Sequence, residues 1–199
     1  MESKVTSTAN YLLLINEENP VPENFLETVR LIPVSNGFGE PIQIEEKAYE
    51  AFLRLRQDIL DNDGLQIELL NSYRSVQQQE EAVERNLKKY GPEHTKKYVA
   101  IPGHSEHHTG LAMDVSIMRN GTLARARQDL LAMDMLYQTV HKKLPRYGFI
   151  LRYPDGKTPI TKIGYEPWHF RYIDSPEIAT EIMETGLCLE EYYRKEESL

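Results

Sequence analysis

The sequence predicts an α+β fold: a single domain in which helices pack around a small antiparallel sheet. Three observations carry this. Apolar residues at helical spacing, such as Ala48, Phe52, Leu55 and Ile59, come ahead of strand-like runs. Short apolar or alternating runs recur at Leu65–Leu70, Leu111–Ile117, Gly148–Tyr153 and Tyr165–Ile173. The late strands are joined by short turns, Asp155-Gly156 among them, which suits antiparallel pairing.

The 199 residues fit one domain, 1–199, read as an extended arm over 1–43 and a core over 44–199. The arm is inferred from Pro20, Pro22, Pro33, Gly37, Gly39 and Pro41. A helix is predicted over Ile44–Leu60, then a strand at Leu65–Leu70 after the turn-forming Asn62–Gly64. Ser75 and Gln78 form a capping box, opening a helix that runs to about Tyr90 and stops at Gly91-Pro92. Beyond a polar stretch lies Gly103-His104-Ser105-Glu106-His107-His108-Thr109-Gly110, which leads into the strand Leu111–Ile117. Leu123–Leu144 reads as one helix, Gly148–Tyr153 as a strand and Tyr165–Ile173 as its returning partner. A last helix, Glu177–Glu184, stops at Gly186.

Composition narrows the function. The net charge is −8, and no Lys/Arg run is long enough to follow a phosphate backbone, so no nucleic-acid partner is expected. No apolar stretch reaches membrane-span length; Tyr11–Ile15 is far too short. Met1–Asn10 lacks a basic-then-apolar leader. The expected location is the cytoplasm, or the cell envelope if a leader has been removed. Cys188 is the sole cysteine, so a thiolate metal cluster is excluded and any metal must be held by His and carboxylate.

Three segments carry chemistry. In Ser105-x-His107-x-x-Gly110-x-Ala112-x-Asp114, Asp114 shares a strand face with Ala112. A carboxylate inside an apolar strand needs a neutralising partner, and a cation is one. His107, at the loop entering that strand, can fold back over the same point. In Glu166-Pro167-Trp168-His169, Pro167 bends the chain so that Glu166 and His169 face one cavity. His107, Asp114 and His169 then form three ligands with a fourth position left for water, the arrangement of a catalytic rather than a structural zinc site. Glu166 is placed to take a proton from that water and pass it to a leaving amine. Arg74, between Tyr73 and Gln79, offers a fork to a carboxylate such as a peptide C-terminus.

These motifs, Ser-x-His-x-x-Gly-x-Ala-x-Asp followed by Glu-x-Trp-His, resemble those of the VanY-type zinc D-alanyl-D-alanine carboxypeptidases. The likeness extends over Tyr11–Pro22, the Tyr-Arg-Ser-x-x-x-Gln of 73–79 and Tyr147–Tyr153, most of the chain. Through Gly148–Pro154 it is similar to the short, leaderless bifunctional dipeptidase/carboxypeptidases of vancomycin resistance. The resemblance implies zinc held by His107, Asp114 and His169, with Glu166 as catalytic base. It implies that Arg74 polarises the scissile carbonyl, and that Ser105 and Gln79 hold substrate. Tyr73 and Asn71 are expected substrate contacts beside them. Two residues depart from the pattern: Ser72 stands where the family usually has Gly, and Asn71 where dipeptidase relatives tend to have an acid. The expected reaction is removal of the terminal D-Ala from a peptidoglycan stem peptide or its precursor, with the free dipeptide cut poorly.

The rivals are L,D-carboxypeptidase or D,D-dipeptidase action on the same fold, and a zinc-bearing binding module without peptidase activity. Glu166 and Arg74 together speak against the last, since a binder needs neither a proton carrier nor a carbonyl clamp. His94, His104 and His141 are read as surface or satisfied histidines, His108 likewise, and Cys188 as a buried small hydrophobe. Trp168 reads as packing beside the metal, and Tyr153 and Tyr172 as core aromatics with a hydroxyl at the surface.

Overall fold

The computed structural model describes residues 9–198. The leader reading of Met1–Asn10 thus falls almost wholly outside the described residues. The expected extended arm is corrected: β1 (Leu31–Ser35) and β2 (Pro41–Glu45) form an antiparallel hairpin, with Pro33 opposite Gln43 and Pro41 opposite Ser35. Proline is tolerated because each strand of a two-stranded ribbon has an unpaired edge. The turn is closed by Asn36 Oδ1, which accepts from the N–H groups of Phe38 (2.9 Å) and Glu40 (3.0 Å). Further upstream Ile15 is fully buried, so the arm is packed rather than free.

Helix α1 runs over Glu46–Asp63 and buries Ala48, Ala51, Phe52, Leu55 and Ile59. It starts two residues later than expected because Ile44 and Glu45 pair with β1, and Glu45 then caps it by accepting from Ala48 N–H at 2.8 Å. Strand β3 (Ile67–Asn71) and α2 (Val76–Tyr90) follow, the latter opened by the Ser75/Gln78 capping box. Gly91-Pro92 ends α2 but also starts α3 (Pro92–Tyr98), since a missing N–H costs nothing at a first helical position. A 3-10 turn, Glu106–Thr109, leads into β4 (Ala112–Ile117).

The single helix expected over Leu123–Leu144 is two, α4 (Arg127–Leu131) and α5 (Asp134–His141). Leu130, Met133, Tyr137, Val140 and Leu144 are all buried, so apolar spacing stays helical straight through the break. Ahead of α4 the backbone is held non-helical: Thr122 and Arg119 bond each other, and Ala124 N–H donates to Ser116 Oγ at 3.1 Å. Then come β5 (Phe149–Leu151), α6 (Thr158–Thr161) and β6 (His169–Tyr172). The strand expected from Tyr165 begins only at His169, because 166–169 is a turn closed by His169 N–H on Glu166 O at 3.1 Å. Helices α7 (Pro176–Thr185) and α8 (Leu189–Glu196) complete the chain. Cys188, before α8, is buried as expected. No helix is long and apolar enough to cross a membrane among the described residues.

The four-stranded sheet has the order β3-β4-β6-β5, antiparallel throughout. Alternation gives it two unlike faces. Ile67, Leu69, Met113, Val115, Ile117, Phe149, Phe170 and Tyr172 join the core with α1 and α5. The other face carries Asp114, Ser116, His169 and Arg171, all buried except Asp114, which is partly exposed.

Ions on that face neutralise one another. Glu106 Oε1 accepts from Arg152 Nε and from an Arg171 terminal nitrogen, both at 2.7 Å. Arg152 forks onto Glu190 at 2.7 and 2.9 Å, and Arg171 donates to the carbonyls of Tyr11 and Leu13. Both arginines are fully buried. Burial alone would raise the Glu106 carboxyl, but Arg171 and Arg152 hold it well below the usual range; Arg152 does the same for Glu190.

Removing one partner of such a pair strands the others, so Glu106→Gln is expected to cost about 3–5 kcal/mol. Both folded carboxyl pKa values lie below the unfolded value of about 4.3, so the network stabilises above that pH and its contribution fades as pH falls through it. Urea unfolding of the metal-free protein across pH checks both points. Glu106→Gln should be less stable near neutrality and flatter on the acid side; a loss below about 1 kcal/mol would show the network to be dispensable.

Candidate metal centre and substrate cleft

Sheet register builds the centre. Asn71 lies opposite Asp114, and Asp114 opposite His169, so three polar residues form a row across β3, β4 and β6. His107 enters from the 3-10 turn, which ends at Gly110 with φ +74°. A Cβ there would come within 2.5 Å of Leu31 and 3.0 Å of Glu45 N, so the turn from His107 into β4 requires glycine.

His107, Asp114 and His169 each offer one ligand atom, all within 4.8 Å of one another. His107 Nδ1 donates to the Ser72 carbonyl at 2.6 Å, which leaves Nε2 facing Asp114 Oδ2 at 3.5 Å. His169 Nδ1 lies 3.2 Å from Asp114 Oδ1, while its Nε2 faces Glu106 Oε2 at 3.7 Å. Neither Nε2 of His169 nor Oε2 of Glu106 has another partner among the described residues. Each imidazole thus has its far nitrogen turned to a carbonyl or carboxylate and its near nitrogen turned to Asp114, an arrangement that suits metal-ligating histidines. Two imidazoles and a carboxylate fit a divalent transition metal.

Electrostatics agree. Burial lowers His107 to about 3, keeping it neutral. Burial would lower His169 as well, but Asp114 and Glu106 outweigh it and raise it to about 9. Asp114 is held well below the usual range against its own burial, chiefly by His107 and His169. The carboxylate stays ionised and ready for a cation.

Glu166 Oε2 lies 3.8 Å from His169 Nδ1. Burial raises its carboxyl to about 7, with His169 pulling the other way. Arg74 is tied by its backbone to the histidine segment: its N–H donates to His107 O at 3.0 Å, and His108 Nδ1 donates to its carbonyl at 2.6 Å. Gln79 is engaged at both ends, Oε1 by Arg74 (2.8 Å) and Nε2 by Ala100 O (2.6 Å). Gln79 thereby braces Arg74 from the wall of the cleft. Ser105 Oγ accepts from His107 N–H at 3.4 Å. Tyr73 is fixed by its N–H on Gln43 O at 2.8 Å.

All nine residues singled out from the sequence line one cleft of about 1750 Å³. Ser72, the departure at the usual glycine, donates from Oγ to Ala112 O at 2.8 Å. Sequence reasoning missed Glu106, which orients His169, and Arg127, which donates to Glu166 Oε1 at 3.0 Å. It also missed the work of His141, whose Nε2 bonds the Pro167 carbonyl at 2.7 Å and props the turn bearing Glu166. Tyr153, read as a core aromatic, lines the cleft and packs its ring 4.8 Å from that of His169. A charged residue within an apolar run, Arg152 after Phe149-Ile150-Leu151 or Arg171 between Phe170 and Tyr172, is the signal that would have called for a buried acid.

Residues 41–175 match the VanY D-alanyl-D-alanine carboxypeptidase family. The chain is 36% identical over 190 residues to the bifunctional D-Ala-D-Ala dipeptidase and D-Ala-D-Ala carboxypeptidase VanXYC of Enterococcus gallinarum, covering 92% of this chain and 94% of the relative. It superposes with TM-score 0.74 and 30% identity on a point mutant of the vancomycin-resistance D,D-pentapeptidase VanY in complex with Zn(II), covering 92% and 98% of the two chains. The LD-carboxypeptidase LdcB superposes with TM-score 0.78 and 33% identity, covering 97% and 92%.

A three-ligand site should take up about one divalent metal per chain. Elemental analysis of protein purified without added metal is expected to find it, and to find almost none in a His107→Ala, His169→Ala double variant. Full occupancy in that variant would disprove the ligand set.

Proposed function

Since this chain belongs to the VanY family of D-alanyl-D-alanine carboxypeptidases, we propose that it hydrolyses the terminal D-Ala from peptidoglycan stem peptides or their precursors, with zinc held by His107, Asp114 and His169. The observation that carries this reading is the convergence of that ligand set with Glu166 and Arg74 in one cleft. Zinc, when bound, supplies a Lewis acid that acidifies water and polarises a carbonyl.

The protein's own groups supply the rest. Glu166 has a carboxyl near 7 through burial, so it can take a proton and return it at neutral pH. Its Oε2 faces the ligand cluster and is the atom on which that proton travels. Arg74 has no carboxylate within salt-bridge distance among the described residues; one terminal nitrogen donates to Gln79, and the other serves a carbonyl oxygen as that oxygen gains charge. Gln79 holds the guanidinium, and His108 the backbone carbonyl of Arg74, before substrate arrives. A binding module would have no use for this arrangement.

Cleft size supports a long substrate. Small-molecule sites occupy about 300–1,000 Å³, and this one is about 1750 Å³. Asn71 supports the same view. A free dipeptide presents an ammonium where a stem peptide has an amide, and a neutral neighbour suits the amide. The chemistry is the same for a precursor and for the mature wall.

Glu166→Gln is expected to keep its zinc and lose about 10²–10⁴-fold in kcat; loss of metal instead would make Glu166 a ligand. In the same assay Arg74→Lys should be nearly as damaged as Arg74→Ala, because an ammonium cannot reproduce the planar fork. Near-normal turnover by the lysine variant would show that charge alone matters there. For substrate choice, Asn71→Asp should shift relative kcat/KM toward free D-Ala-D-Ala by roughly ten- to hundred-fold, the worth of one charge-assisted bond. An unchanged ratio would remove Asn71 from the substrate contacts.

A further inference from the structure

Arg127, the first residue of α4, bonds the catalytic base directly. One terminal nitrogen donates to Glu166 Oε1 at 3.0 Å and the other to the Tyr165 carbonyl at 2.7 Å. Its guanidinium lies 3.7 Å from the centroid of the Tyr98 ring and 4.9 Å from that of Trp168. Tyr98 ends α3 and is wedged against Gly164: a Cβ on that glycine would come within 2.3 Å of the Tyr98 ring. The same two segments are bonded by Gly164 N–H on Lys97 O at 2.8 Å. Three elements distant in sequence therefore meet in one stack: the end of α3, the start of α4 and the loop bearing Glu166.

The consequence for Glu166 is geometric. A carboxylate on a turn can swing about its side-chain bonds, and each orientation presents a different lone pair. With Oε1 anchored by Arg127, Oε2 is left toward His169 at 3.8 Å. The second bond, to the Tyr165 carbonyl, fixes the backbone from which Glu166 springs. A lysine could reach one of these acceptors but not fork across both while lying flat on Tyr98.

We propose that Arg127 is a positioning residue that fixes the orientation of Glu166 for proton transfer, and that Tyr98, wedged against Gly164, fixes Arg127. This rests on the reading of Glu166 as the proton carrier of a zinc peptidase. The side chain acts through Glu166. Misplacing a reacting group by an ångström costs about 10²-fold in rate, and substrate binding is unaffected by it.

The test uses Arg127→Met, which keeps an apolar stem on Tyr98 and removes the fork. With zinc-loaded protein and a stem peptide ending in D-Ala-D-Ala, kcat should fall about 10²-fold while KM holds within about threefold. Zinc content should match wild type. Arg127→Lys should recover only part of the loss, and millimolar free guanidinium should restore turnover in Arg127→Ala. Gly164→Ala, which removes no polar group but displaces Tyr98, should show the same fall in kcat at constant KM to a lesser degree. Combined with Arg127→Met it should add nothing further, since both act on one link. Wild-type kcat in Arg127→Met overturns the inference, as does a loss matched by missing zinc, or full additivity in the pair. Wild-type protein with no peptidase activity overturns the reading of the cleft, and this inference with it.

Discussion

Everything at the centre depends on the register between β4 and β6. Setting Asp114 opposite His169 puts a carboxylate and an imidazole 3.2 Å apart on a largely buried sheet face. A slip of one residue would turn Asp114 into the apolar core and Met113 toward the cleft. Phe170 and Tyr172 on one face of β6 hold the register by packing, and His169 and Arg171 on the other spend it on chemistry.

A buried polar face must be neutralised, and Glu106 is where that happens. One of its oxygens takes two guanidiniums and the other faces the far nitrogen of His169. The same carboxylate therefore stabilises the fold and faces a candidate metal ligand. It also ties the upstream segment to the centre, since Arg171 reaches the carbonyls of Tyr11 and Leu13, and Arg152 that of Ile15. This accounts for a packed arm where proline and glycine suggested an extended, looping one. Around it, backbone bonds do the positioning: Ser72 O for His107, Pro167 O for His141, and His107 O for Arg74.

Much of this was legible in the sequence because the informative residues sit in short motifs. Asp114 on its strand, His107 in its entering loop and the Glu166–His169 pair around Pro167 all converge on one cleft as the spacing implied. The α2 capping box and the Gly186 stop were equally local signals. What the sequence hid was long-range. Apolar spacing alone could not separate α4 from α5, because the buried stripe runs on through the break. Pro33 and Pro41 looked like loop residues, although a two-stranded ribbon admits them. Glu106, Arg127, Arg152 and Arg171 have partners tens of residues away, and each alone looks like an ordinary charge. Local pattern gave the ligands; only the fold gives the groups that hold them.

The central claim is that this cleft cuts a D,D bond at the end of a stem peptide with a zinc ion in place. Mass spectrometry of products from a pentapeptide ending in D-Ala-D-Ala and a tetrapeptide ending in a single D-Ala, with zinc-loaded and zinc-stripped protein, tests it most directly. The account predicts that the pentapeptide loses one alanine only when zinc is present, and that the tetrapeptide persists. Shortening of the tetrapeptide alone, or equal cleavage without zinc, would contradict it.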